Sequence, residues 1–262
     1  MTIAIAVLVS VGRHPASGRA RRADRDARAL ELALRLSPSA MPLVIHAGDP
    51  REPALRDYLG MGITSLTVLD LPADADPIPA LIEHLKIRRP RLVLTGTGAE
   101  AGECSGMVPY ALAAALDAAI AADIADATLA GDSLDLLQAL PRGRRRRLSA
   151  ALPAVVTVGS AAPAARPFAF GPARRGRNEV VEAAAVPDAE RAAWQLRPAR
   201  ARPKRLKVAS GGGSAAERLR AATEIAAGRG RLLVDPPPAE AARAIWDYLR
   251  DEGIVRSSSP GV

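Results

Sequence analysis

Aromatic residues are scarce in this 262-residue chain: Phe, Trp and Tyr together make up 3% of it. Its core must therefore be Ala, Val, Leu and Ile, and little π-surface is left on which single-stranded bases could stack. Cysteine is almost missing. The single Cys104 excludes an internal disulfide and any multi-cysteine zinc or iron–sulfur site, and it fits a reducing compartment, the cytoplasm by default. Long apolar runs are missing as well. Asp117 and Asp123 interrupt the Ala-rich stretch after Tyr110, so no segment approaches the roughly 20 residues that cross a bilayer. A soluble protein with no membrane insertion is expected. The apolar start from Ile3 to Val9 has no basic residue before it and no clear small-residue cleavage site after it, and reads as a buried strand rather than a signal sequence.

What is present is globular in character: 48% hydrophobic residues, with 21 Gly and 22 Pro. The 36 Lys and Arg exceed the 28 Asp and Glu, giving a net charge of +8. That balance permits attraction to nucleic acid, to an anionic cofactor or to an acidic partner, and selects none of them.

Short apolar runs alternate with helical patterns through the first half. Ile3 to Val11 is continuous and apolar, the pattern of a strand covered on both faces. From Asp26 to Leu36 the apolar positions recur at helical spacing, and Ser37-Pro38 ends the helix. Pro42 to His46 and Ser65 to Leu69 read as strands with a short helix, Glu52 to Leu59, between them. Asp76-Pro77 opens a helix to Ile87. A fourth strand follows from Arg91 to Thr95, then a glycine-broken loop, then a helix expected from Ser105 through Leu116. Leu134 to Ala139, Arg144 to Leu148 and Ala154 to Val158 look like further strands, a hairpin excursion joining the sheet. Such alternation predicts an α/β fold, a doubly wound parallel sheet with helices on both faces.

After Val158 the texture turns to Ala, Pro and Arg. Residues 1–159 are read as the core, 160–214 as an extended arm with a flexible joint from Ser210 to Ser214, and 215–262 as a helical tail. The tail should contain a helix from Ala215 to Ala227, an extended piece from Leu232 to Val234, and a helix from Ala239 to Asp251 that stops at Gly253.

Doubly wound sheets bind ligands beyond the carboxyl ends of their strands, where the strand order reverses. If the first and fourth strands are neighbours, the pocket lies between Val9 to His14 and Thr95 to Gly106. Glycines let backbone N–H groups approach an anion, and Ser105-Gly106 is placed at a helix N-terminus, so a nucleotide phosphate is the natural guest. The same glycines also suit a tight strand-to-helix turn. Gly96, Gly98 and Gly102 are spaced one residue too widely for the dinucleotide fingerprint, and no G-x-x-x-x-G-K occurs. Cys104 beside the loop reads as inert. His14, His46 and His84 lack metal-ligand spacing and read as surface or strand-end residues. The run Arg142 to Arg147 has no groove-reading element or interleaved aromatics beside it, so it reads as a solvated or partner-facing hairpin, and no nucleic acid is expected as partner. Arg174, Arg175 and Arg177, then Arg197, Arg200 and Arg202, read likewise as docking or solubilising charge.

Several segments, in order, resemble the β-subunit family of electron transfer flavoproteins. Leu152-Pro-Ala-Val-Val-Thr157 looks like the end of the family signature, Ala29-Leu-Glu-Leu-Ala-Leu-Arg-Leu36 is similar to its first helix, and Ala54-Leu-Arg-Asp-Tyr-Leu-Gly-Met-Gly62 looks like its ALRxALAMGAD stretch. Asp76-Pro77, Leu92-Val-Leu-Thr-Gly96 and Ser105-Gly106 follow in the family's order, so that the likeness covers most of residues 3–182. A closing helix ending Arg250-Asp-Glu-Gly-Ile-Val255 occurs in some members. The resemblance implies a Rossmann-like fold of the adenine-nucleotide alpha-hydrolase kind and an electron-carrier subunit without catalytic residues of its own. It also implies an α-subunit partner that holds the redox FAD, a flavin-dependent dehydrogenase as electron donor, and a quinone-reducing or iron–sulfur acceptor.

Carried over by position, the resemblance assigns a nucleotide pocket to Ser10, Asp26, Ala47, Gly96, Thr97, Gly98, Cys104, Ser105 and Gly106. Arg13 would face the flavin. The arm with Phe168 and Phe170, together with Arg146, would dock the partner. Ala23-Asp24-Arg25 stands where the family has Asn-Pro-Phe, Glu100-Ala-Gly-Glu-Cys104 is a shortened nucleotide loop, and Arg144 to Arg147 replace a glycine pair and the glutamate after it. AMP, a second FAD or no nucleotide are therefore all open as the pocket's content. The competing reading is a stand-alone adenine-nucleotide sensor built on the same sheet.

Overall fold

The computed structural model describes residues 3–195, 197, 214–216 and 233–251. The chain divides into two compact units, Met1–Leu196 and Arg197–Val262.

The first unit is organised by a nine-stranded sheet; outside it β2 (Val11–Arg13) pairs with β3 (Ala20–Arg22), and β6 (Ala75–Asp76) pairs with Val186–Pro187. Its opening strand β1 (Ile5–Leu8) is buried at every position, as a strand covered on both faces must be. β1 pairs in parallel with β4 (Leu43–Gly48) on one side and with β7 (Leu92–Gly96) on the other, Ala6 lying opposite Leu43 and Val93. Beyond β4 lies β5 (Ser65–Asp70), and beyond β7 lies β11 (Ala154–Val158), all parallel. The chain therefore builds outwards from β1 in one direction, crosses back, and continues in the other. The strand order reverses between β1 and β7, the neighbours expected from the sequence.

Helix α1 (Asp24–Leu36) lies on one face and turns Ala27, Leu30 and Ala33 into the core that holds Val7, Leu94 and Val156. Leu30 is fully buried, a site where truncation to Ala typically costs about 2–5 kcal/mol. The short helix α2 (Arg56–Leu59) closes the same face with Tyr58 and Leu59. On the opposite face Leu81 and Leu85 of α3 (Pro77–Arg88) and Leu112 of α4 (Val108–Ala115) pack with Ala6, Val93 and Val155. The start of α3 is as expected: the Asp76 carboxylate accepts the Ile78 N–H at 2.9 Å, and Pro77 occupies the first turn.

Two local expectations are corrected, and one strand stands where no element was expected. The helix expected from Ser105 begins at Val108 instead, because Gly106 has φ +72, outside the right-handed helical region, and Pro109 fits only a first turn. The Ala-rich stretch after Leu116 forms a long strand, β8 (Ala119–Ala130). Its first half pairs in parallel with β11 and its second half antiparallel with β9 (Ser133–Ala139), which in turn pairs with β10 (Arg145–Ala151) as the expected hairpin. Thirdly, much of the expected arm lies on its own core. The Arg166 guanidinium pairs with Glu31 at 2.7 Å, the Ala169 N–H donates to the Gly60 carbonyl at 2.9 Å, and a strand at Arg177–Glu182 pairs in parallel with β5 along its whole length. β5 would otherwise present an open edge, and this strand satisfies its backbone groups.

The remainder of the arm, residue 196 and 198–213, lies outside the described residues, as does nearly all of the helix expected over Ala215 to Ala227. Leu233 and Val234 form no strand, and the end expected at Gly253 is not described. In the second unit a helix spans Pro238–Asp251, one residue longer than expected. No described helix is long and apolar enough to cross a membrane.

Candidate functional site

The reversal of strand order leaves a crevice at the carboxyl ends of β1 and β7, and Asp26 bridges its two walls. From the first turn of α1, one carboxylate oxygen accepts the Ser10 N–H at 2.7 Å and the Ser10 hydroxyl at 2.5 Å. The other accepts the Gly96 N–H at 3.0 Å. A Cβ on residue 96 would lie 2.4 Å from that oxygen, so the approach requires glycine there. Burial pushes the Asp26 carboxyl up from 3.8 to about 6, against the pull of the three donated hydrogen bonds and with help from the nearby Glu100.

Two further groups fix this corner. Tyr58 donates its hydroxyl hydrogen to the Ser10 carbonyl at 2.7 Å and accepts the buried Ala23 N–H at 2.9 Å. Burial, and after it the charge of Asp26, holds the phenol well above its usual range. Glu100, from the glycine loop after β7, reaches back over the start of α1. There it accepts the Asp24 N–H at 2.8 Å and pairs with Arg21 at 3.0 Å. Ala23 offers the helix no side-chain cap, so Glu100 supplies one from 76 residues away.

The crevice opens into a cleft of about 270 Å³. Its floor is apolar, with Leu8, Ile45 and Leu81, and its far wall is the loop from Gly98 to Gly106. Gly106 must be glycine: besides its positive φ, a Cβ there would lie 2.7 Å from the Thr97 carbonyl. Among the described residues, no N–H from Gly98 to Gly106 is engaged by a protein acceptor. His46, near the end of β4, forms a side wall. Its Nδ1 lies 2.9 Å from the Val9 carbonyl, and burial lowers its pKa against the opposing effects of that bond, Glu52 and Asp49. Arg191 stands at the rim, donating to the Ala73 carbonyl at 2.6 Å.

Of the residues singled out in the sequence, Ser10, Asp26, Ala47, Gly96, Gly98, Cys104, Ser105 and Gly106 converge on this cleft. Thr97 stands behind the wall, its N–H donating to the Val158 carbonyl at 3.2 Å. Arg13 is exposed on a small separate hairpin and donates to the Gly18 carbonyl. Arg146 is distant from the cleft, on the edge strand β10, where it grips the Gln138 side-chain oxygen at 2.7 Å. Phe168 lies over Gly60, where it occupies the space a Cβ would need, and Phe170 is 71% exposed. The pairing of Ser105-Gly106 with a helix N-terminus does not hold, since α4 starts beyond them. Glu100, Tyr58 and Arg191 were not singled out. An acidic residue inside a glycine loop was the available signal for Glu100, and nothing local marks the other two. No group of three or more His, Cys, Asp or Glu that could hold a metal ion occurs among the described residues.

Together these features define a doubly wound α/β protein with its crevice at the strand-order reversal, the place where this class of fold receives nucleotides. Glu100 already accepts one N–H at the amino end of α1, and Asp26 takes the backbone donors of Ser10 and Gly96 at the two strand ends. The donors from Gly98 to Gly106 in the β7–α4 loop are free of protein acceptors among the described residues, so the residues present fit an anionic group at that loop.

The chain belongs to the electron transfer flavoprotein domain family, whose model matches residues 15–189. It is 48% identical over 257 residues to a Chromohalobacter salexigens protein named electron transfer flavoprotein subunit beta, the match covering 96% of each chain.

Proposed function

We propose that this chain is the β-type subunit of a heterodimeric electron transfer flavoprotein that works in the cytoplasm. The observation that carries the reading is the match to a protein of that name along nearly the full length of both chains. In this reading an α subunit holds the FAD, which supplies the redox chemistry when bound, while the present chain supplies position and electrostatics. The cleft beside Asp26 takes an adenine nucleotide, AMP in the simplest case, with its phosphate on the Gly98 to Gly106 loop. Electrons enter from a flavin-dependent dehydrogenase and leave to a quinone-reducing or iron–sulfur acceptor. Phe170, Phe168 and Arg146 are assigned to partner docking. The exposure of Phe170 and the position of Arg146 on a sheet edge support that assignment.

Coexpression with the cognate α subunit tests the reading. A yellow 1:1 complex is expected, and a colourless, stable monomer refutes it. Within such a complex Phe170→Ser should leave flavin content unchanged and slow flavin reduction by the dehydrogenase. Unchanged reduction removes Phe170 from the docking surface.

A further inference from the structure

The charges around the cleft are unequal. Among the described residues that line it, Asp26, Glu103 and Asp188 bring carboxylates, and Arg191 is the only Lys or Arg. A cleft lined in this way repels an anion except where Arg191 stands. An anionic group on the Gly98 to Gly106 loop is therefore held by backbone donors alone, against negative neighbours, unless that guanidinium reaches it.

Arg191 arrives at the rim on a strap. Val186–Pro187 pairs antiparallel with β6, Val186 lying opposite Asp76 and Pro187 opposite Ala75. The Asp188 N–H then donates to the Asp74 carbonyl at 3.1 Å, and the Asp188 carboxylate accepts the Arg191 N–H at 2.9 Å, which caps the single turn Ala189–Ala192. These contacts tie the strap to the stretch that carries Ala75 and Pro77 of the cleft wall. They are nearly all that holds it, because Val186, Pro187, Ala189, Glu190 and Arg191 are exposed, so the strap is free to shift against the core at small cost. The Arg191 guanidinium itself donates to the Ala73 carbonyl, and among the described residues no carboxylate pairs with it. One neutral carbonyl leaves most of the planar fork unused and the charge unanswered, and a phosphate fits both.

We propose that Arg191 is a ligand-binding residue of the cleft, its guanidinium clamping the phosphate of the bound nucleotide from the rim while the Gly98 to Gly106 loop holds it from the wall. The inference rests on the reading of the cleft as a nucleotide site, and it makes the strap from Val186 to Ala192 part of that site. Arg191 acts by binding; no chemical step passes through it.

The test uses the full-length chain freed of copurified nucleotide, titrated calorimetrically with AMP and with adenosine, which lacks only the phosphate. Arg191→Met keeps the covering stem and removes the charge. It should weaken AMP about tenfold or more, the effect of one charge-assisted contact, and leave adenosine unchanged. Arg191→Lys, which keeps the charge without the fork, should recover part of the loss. AMP should also slow hydrogen exchange at the Asp188 and Ala192 amides of the wild-type strap. A melting temperature for each unliganded variant separates loss of recognition from loss of fold.

Equal losses for AMP and adenosine in Arg191→Met make Arg191 a cover and not an anion clamp, and an unchanged AMP affinity removes it from the site. Either result overturns the proposal and leaves the nucleotide site standing, as does an Arg191→Lys variant no better than Arg191→Met. If AMP does not bind the wild-type chain, the nucleotide reading of the cleft falls and the proposal falls with it. Formation of a yellow complex with the α subunit is a separate readout, and it stands or falls independently of these titrations.

Discussion

Replacing Asp26 by Asn changes one atom of the carboxyl group and removes its charge, at a position 5% exposed. At neutral pH the carboxylate receives three hydrogen bonds, two from Ser10 and one from Gly96. An Asn side chain has one oxygen. If that oxygen serves Ser10, its amino group faces the buried Gly96 N–H, donor against donor, and one orphaned buried donor costs about 1–3 kcal/mol. The more distinctive consequence is the dependence on pH. The Asp26 carboxyl in the folded chain titrates at about 6, above its ordinary 3.8, so the folded state holds the proton more tightly than the unfolded state does. Its contribution to stability is then fully present below pH 3.8 and is lost as pH rises through about 6. At about 1.4 kcal/mol per pH unit, that interval is worth about 3 kcal/mol.

The Asn variant lacks this titration. The stability of the wild type relative to Asp26→Asn should therefore shift by about 2.4 kcal/mol between pH 4 and pH 7.5, in favour of the wild type at the acid end. Urea unfolding of both proteins at closely spaced pH values measures the difference directly. Parallel profiles over that range would show that burial does not govern this carboxyl and would refute the reasoning.

Three further substitutions probe the same corner. Gly96→Ala forces a Cβ to within 2.4 Å of the Asp26 carboxylate, and a loss of about 1–3 kcal/mol, as for other overpacked sites, should appear in thermal melts. Tyr58→Phe leaves the buried Ala23 N–H without its acceptor, which should cost about 1–3 kcal/mol and speed hydrogen exchange at that amide; an unchanged exchange rate would contradict the assigned bond. Glu100→Ala removes the cap from α1 and the neighbouring negative charge from Asp26. A loss of about 1 kcal/mol is expected, with a downward move of the Asp26 titration in a carboxyl-carbon NMR series, and an upward move would contradict it.

The crevice was legible because it depends on two things that sequence displays: short apolar strands separated by helical patterns, and glycines after the fourth of those strands. The positions of Ser10, Asp26 and Gly96 came from the family resemblance, but the bond pattern that joins them did not, since Asp26 reaches partners 16 and 70 residues away. Local pattern carries no trace of such pairings. β8 escaped notice for another reason. Ala favours helix by propensity, yet Ala119–Ala130 lies between β9 and β11, and pairing on both sides overrides that weak local preference. The strand at Arg177–Glu182 escaped because an edge strand needs little apolar content, and Val180 and Val181 are its only apolar residues. Gly106 displaced the expected helix start through a backbone angle that an unaligned glycine does not announce.

The bond from Gly96 to Asp26 closes a loop of 70 residues, and it can form only after the chain has laid down two strands on one side of β1 and returned to the other. Helix α1 can take shape early from local contacts, but its third residue is left unanswered until that return. Molecules caught before that stage have no finished mouth to offer a small guest. A small molecule that binds at this mouth would therefore bind only chains whose winding is complete.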